Sequence, residues 1–120
     1  MTRLQLKRVY DEPARSDGTR VLIDRLWPRG IAKAKARIDL WLKDVAPSHE
    51  LRRKFHAHSE NWGEFVSAYK RELTGATAQA AIAELECLMH KGPVTLLYAT
   101  RDDAHNNGMA LKIWLERRVR

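Results

Sequence analysis

The chain has 120 residues, 44% of them hydrophobic and 31% charged, with a formal net charge of +7 and a pI of about 9.9. Its length fits one domain spanning residues 1–120 with an ordinary core, and no apolar run approaches the ~20 residues of a membrane span. The opening MTRLQLKRVYDE is too short and too charged for a signal peptide, and the one cysteine, Cys87, cannot close an internal disulfide, so a cytoplasmic setting is expected. The positive balance favours anionic partners, either a small phosphorylated or carboxylated molecule or nucleic acid.

In chain order, Leu4 to Tyr10 alternates apolar and polar residues with one slip and predicts a first strand. DEPARSDGT follows, where Pro13 and Asp17-Gly18 supply turn chemistry. Val21-Leu22-Ile23 is a continuous apolar run, as in a strand covered on both faces. It passes directly into the polar, aromatic turn DRLWPRG at 24–30. IDLWLKDVA at 38–46 alternates, with Ile38, Leu40 and Leu42 on one side, and reads as a further strand. Pro47-Ser48 starts a helix, with Ser48 as N-cap and Leu51 and Phe55 facing inward. Trp62, Phe65, Val66, Tyr69 and Leu73 have helical spacing up to a stop at Gly75. Ala78, Ala81, Ile82, Leu85, Leu88 and Met89 form one stripe of a third helix, with Cys87 as a small core residue. VTLLYAT at 94–100 is the clearest strand, and a last helix begins near 104–107, presenting Met109, Ala110, Ile113 and Trp114 inward. Strands separated by helices predict an α/β fold: a single-domain sandwich with a small, mainly parallel sheet flanked by helices.

In open α/β sheets, ligands sit beyond the carboxyl ends of the strands. Two polar loops occupy that place here. In the first, Asp24 is a candidate base or a partner for Arg25 or Arg29. Arg25 and Arg29 form a candidate guanidinium clamp, since the planar fork suits phosphate and carboxylate. Trp27 is a candidate stacking surface or a packing anchor. The second loop, TRDDAHNN at 100–107, brings Arg101, His105 and Asn106 to a helix N-terminus, where free N–H groups favour an anion. His105 is a candidate general acid or base, and Asp102 or Asp103 is a helix cap. Lys43 and Asp44 close a third side if the loops converge. His56 and His58 lack a Cys or carboxylate at ligand spacing, so no metal site is expected. Neither a phosphate-cradling glycine loop nor a nucleophile elbow is present, and no cofactor is assigned.

The stretches KRVYD (7–11), SDGTRVLIDRLWPRGIAK (16–33), DLWLKDVAPSHELRRKF (39–55), EFVSAYKREL (64–73) and VTLLYATRD (94–102) together resemble the YeaO-like family (domain of unknown function 488). The resemblance covers nearly the whole chain and implies a small bacterial α/β protein; it supplies no established reaction. The family's Asp-Arg-x-x-Pro-Arg-Gly turn is matched by Asp24, Arg25, Pro28, Arg29 and Gly30, and its basic residue after the late strand by Arg101. At the start of the last helix the family pattern is Asn-His-Ala. Asn106 matches it, but Asn107 stands where the histidine is expected, and His105 lies on the other side of Asn106.

Two readings follow. The leading one is an anion-binding pocket at the strand ends, built from Asp24, Arg25, Trp27, Arg29, Arg101, His105 and Asn106, in a binding protein or in a hydrolase or transferase with Asp24 and His105 moving protons. The alternative is a basic nucleic-acid-binding or regulatory protein without catalysis, motivated by LRRKF at 51–55 and ERRVR at 116–120.

Overall fold

The structure is a computed structural model that describes residues 4–57, 60–102 and 105–118. His58, Asp103 and residues 1–3, 104, 119 and 120 of the stretches quoted above lie outside these residues. Strands β1 (Leu4–Arg8), β2 (Thr19–Leu22), β3 (Leu40–Trp41) and β4 (Val94–Tyr98) form one sheet in the order β1-β4-β2-β3, with every pair parallel. β4 is central and buried along its whole length, as its unbroken apolar run requires. The helices are α1 (Lys33–Ala36), α2 (His49–Ala57), α3 (Trp62–Leu73), α4 (Ala76–Lys91) and α5 (Asn107–Arg118). The class is α/β.

The pleat divides the strands between two unequal layers. Leu4, Val21, Ile23, Val94 and Leu96 meet Leu51, Phe65, Tyr69, Leu73, Ile82, Leu85, Leu111 and Leu115, so all four long helices contribute to one core. On the other face Val9, Leu22 and Leu97 pack with Trp27, Ile31, Ile38, Trp41 and Ala99, drawn from loops and β3. The expected flanking by helices therefore holds for one face; on the other, loops and the single turn of α1 form the roof.

That roof is tied down by a buried ion pair. Arg20 donates to the Asp17 carboxylate and to the carbonyls of Ala36 and Arg37, each of the latter at 3.0 Å. Lys7 reaches both Asp17 oxygens at 3.2 Å. Gly18 allows the chain to turn tightly beneath it: at φ 65°, a Cβ there would lie 2.2 Å from the Pro93 carbonyl oxygen.

Several expectations shift in register. β3 holds only two residues before a 3-10 turn at Lys43–Val45, and Ile38 and Leu42 serve opposite cores. Ser48 does cap α2, its Oγ accepting from the Leu51 N–H at 3.1 Å. Cys87 is exposed, because Leu85 and Met89 occupy the inner face of α4. In α5 Gly108, Ala110, Leu111 and Leu115 are buried and Trp114 packs against the core, as expected for Ala110 and Trp114, while Ile113 turns outward. No helix among the described residues is long and apolar enough to cross a membrane.

Burial pushes the Asp17 carboxyl up, but the Ala14 N–H and the charges of Lys7 and Arg20 outweigh it and hold the group below its ordinary 3.8. Its contribution is therefore complete above pH 3.8 and is lost as pH falls through the lower folded value. Arg20→Met leaves Asp17 short of its main partner, and a loss of about 3–5 kcal/mol is expected in urea unfolding. Asp17→Asn should flatten the acid limb of the stability profile; an unchanged limb would contradict this role.

Candidate functional site

The carboxyl ends of β2 and β4 lie side by side, since the two strands pair in parallel. Ile23 extends β2 by one more ladder bond, its N–H meeting the Leu97 carbonyl at 3.1 Å. The next residue, Asp24, reaches across the sheet. One carboxylate oxygen accepts from the Ala99 N–H at 2.9 Å and the other from the Asn107 side-chain amide at 3.1 Å. The same Asn107 amide also donates to the Ile23 carbonyl at 3.2 Å. The 24–30 and 100–107 loops therefore converge, joined through Asp24.

The start of α5 makes this possible. Asn106 is 2% exposed and caps the helix, its Oδ1 accepting from the Met109 N–H at 2.8 Å. Its amide donates back to the Asp102 carbonyl at 2.9 Å. Gly108 lets the first turn lie close against the sheet: a Cβ there would sit 2.5 Å from the Leu6 side chain and 3.3 Å from that of Ile23. That approach delivers Asn107 to Asp24.

Around this junction is a cavity of about 270 Å³. Asp24, Arg25, Arg52, His105, Asn106 and Asn107 bring its polar groups; Pro47, Phe55, Phe65 and Ala99 supply apolar wall. Its size is near the lower end of small-ligand pockets, and a few polar groups in an apolar wall is their usual make-up. Burial pushes the Asp24 carboxyl above its ordinary value, partly offset by the Asn107 amide, the Ala99 N–H and the Arg52 charge.

The walls are braced from outside. Arg25 donates to the carbonyls of Ala46 at 3.0 Å and Pro47 at 3.2 Å. Tyr69, whose buried hydroxyl is held protonated well above its usual range, donates to the Val45 carbonyl just before them. Arg8 donates to the carbonyls of Ala99 at 2.8 Å and Thr100 at 2.9 Å, fixing the segment that carries the Ala99 N–H. Trp41 donates to the Asp24 carbonyl at 2.7 Å. His105 stands at the mouth, edge-on to Trp62 with 5.1 Å between ring centroids and 3.4 Å from the Asp102 carboxylate.

Of the residues singled out from sequence, Asp24, Arg25, His105 and Asn106 line the cavity. Trp27, Arg29 and Arg101 do not. Trp27 belongs to the opposite face of the sheet, edge-on to Trp41 at 5.4 Å, and closes its own loop by donating to the Ile31 carbonyl at 2.8 Å. Arg29 and Arg101 are exposed. Lys43 lies over the Trp41 ring at 4.5 Å. Three further polar residues line the cavity: Arg52, from the basic run at 51–55, and Thr100 and Asn107, from the 100–107 loop. Arg52 is three residues from Phe55, and that spacing puts both on one side of α2.

A family model described as "Inactive DUF488-N3 subclade" matches residues 3–120. The chain belongs to that subclade. It is 41% identical over 112 residues to the uncharacterized protein YeaO of Escherichia coli (strain K12), covering 93% of this chain and 96% of YeaO. It is 44% identical over 110 residues to an uncharacterized protein of Mycobacterium tuberculosis (strain ATCC 25618 / H37Rv), covering 92% and 91%. No solved structure matches. The YeaO-like resemblance read from DRLWPRG and its companion stretches is thus borne out.

Asn107→Asp replaces the donor to Asp24 with a second carboxyl. Like charges sharing the site raise the pair's protonation midpoints. Folding near neutral pH should weaken by about 1–3 kcal/mol, and the loss should shrink as pH falls and one carboxyl takes up a proton. Urea unfolding at both pH values checks this; a loss independent of pH would contradict the contact.

Proposed function

We propose that this protein is a non-catalytic binding protein that holds a small carboxylated or phosphorylated ligand in the cavity at the ends of β2 and β4. One observation carries the reading: the half-buried Asp24 carboxylate is held by a main-chain N–H and by an amide, beside Arg25 and Arg52. An amide donates a hydrogen bond but does not exchange a proton as an imidazole does. With Asn107 where the family pattern expects histidine, the side chain bonded to Asp24 positions it and relays no proton. The description of the subclade as inactive supports the same reading.

In this account Asp24, Asn107 and His105 shape and read the ligand, and the charge that attracts it comes chiefly from Arg52. The Arg25 guanidinium already serves two carbonyls, so its charge contributes while much of its donor capacity is committed. Raising pH through the Asp24 midpoint adds a negative charge to the cavity, so anion affinity should fall as pH rises.

The basic runs give the nucleic-acid reading less support than their composition suggested. Arg52 lines the cavity. Arg118 is bound to Glu86 at 3.2 Å and lies 4.7 Å over the Trp114 ring.

The test is an amide NMR titration with sulfate, an anion that does not itself titrate across this pH range. Saturable shifts are expected at the amides of Ala99, His105 and Asn107, with affinity about tenfold weaker in Arg52→Gln, as for loss of one charge-assisted hydrogen bond. Absent shifts there, or an affinity indifferent to Arg52, would contradict the pocket. Binding of short DNA or RNA that falls with salt and ignores Arg52→Gln would favour the alternative.

A further inference from the structure

At the other end of the sheet, where β2 begins, a hollow of about 340 Å³ is lined by Arg15, Gly18, Arg20, Arg37 and Asp39 together with Pro13 and Ala14. Each acid beside it accepts at least one hydrogen bond. Asp17 holds Arg20, Lys7 and the Ala14 N–H, and one Asp39 oxygen accepts from the Arg20 N–H at 2.8 Å. Each nitrogen of the Arg20 guanidinium likewise has a partner, in Asp17, Ala36 or Arg37. Arg15 and Arg37 differ: both are exposed, and among the described residues neither guanidinium has a partner.

The backbone of Arg37 adds a second, independent observation. It lies at φ 49°, ψ 46°, the left-handed region, and is the sole non-glycine residue with positive φ among the described residues. That conformation favours glycine or asparagine. Here it is imposed from beneath by Arg20, whose Nε donates to the Arg37 carbonyl and whose Nη2 donates to that of Ala36. The position carries a long charged side chain where the main chain would be better served by none. Strain of this kind persists where the surroundings over-determine it, and it collects at sites that bind. The buried Arg20–Asp17 pair thus holds the backbone from which Arg37 leaves the chain, and Arg15 and Gly18 line the same hollow.

We propose that Arg15 and Arg37 form a second anion site, taking a phosphate or pyrophosphate group between their guanidinia. Two unpaired planar forks over a floor of satisfied hydrogen bonds suit the several oxygens of a phosphoryl group better than a single carboxylate. The site shares no lining residue with the cavity at the strand ends and stands or falls separately from it.

Pyrophosphate, titrated in an amide NMR experiment, tests it. Saturable shifts are expected at the amides of residues 14–18 and 37–39. Arg37→Gly should fold at least as stably as the parent, since it relieves the left-handed residue, yet bind pyrophosphate about tenfold more weakly. Arg15→Gln, a change at an exposed side chain, should weaken binding similarly, and Arg52→Gln should leave the titration of residues 14–18 and 37–39 unaltered. The proposal is overturned if no shifts occur in these segments, or if Arg37→Gly and Arg15→Gln bind as tightly as the parent. It is equally overturned if shifts arise only around Ala99 and Asn107.

Discussion

The Asp24 carboxylate joins three elements at once. It ends β2, accepts from the first N–H after β4, and receives the side chain that begins α5. A carboxylate at the end of an apolar strand survives burial only when both oxygens find donors. Here the donors come from elements 75 and 83 residues further along the chain. The contact therefore reports that the sheet has closed and the last helix has docked. It also sets the floor of the cavity, because whatever enters there meets a carboxylate, an amide and Arg52 in one place.

A second theme is the division of labour among the arginines. Arg8, Arg20 and Arg25 each grip two consecutive main-chain carbonyls: Ala99 and Thr100, Ala36 and Arg37, Ala46 and Pro47. The fork geometry that suits a phosphate also suits a pair of neighbouring carbonyls, and these three residues use it to fasten loops. The net charge of +7 thus overstates the charge offered to a partner. Of the charge that remains, Arg52 lines a hollow at one end of the sheet and Arg15 and Arg37 line one at the other.

Much of the fold was legible because periodicity is local. The apolar run at 94–98, the Ser48 cap and the stripes of α3 and α4 all depend on residues close in sequence. Asp24 could be read from its place after a buried strand. The side to which the DRLWPRG loop sends each side chain could not, since it depends on how the loop folds back over Trp41; hence Trp27 and Arg29 read as pocket residues and lie elsewhere. Nothing local in the sequence marks Asn107 as the partner of Asp24; the close approach at Gly108 brings the two together. Arg37 gave no signal at all, because its left-handed backbone is set by a buried arginine on another element.

The most direct test of the account is the titration of Asp24 itself, followed by carbon NMR of its carboxyl group alongside the side-chain NH2 protons of Asn107. The account predicts a midpoint above the ordinary 3.8, with the Asn107 amide shifting at the same midpoint. A midpoint at or below 3.8, with the Asn107 amide indifferent to it, would mean that Asp24 is neither buried in this way nor held by that amide.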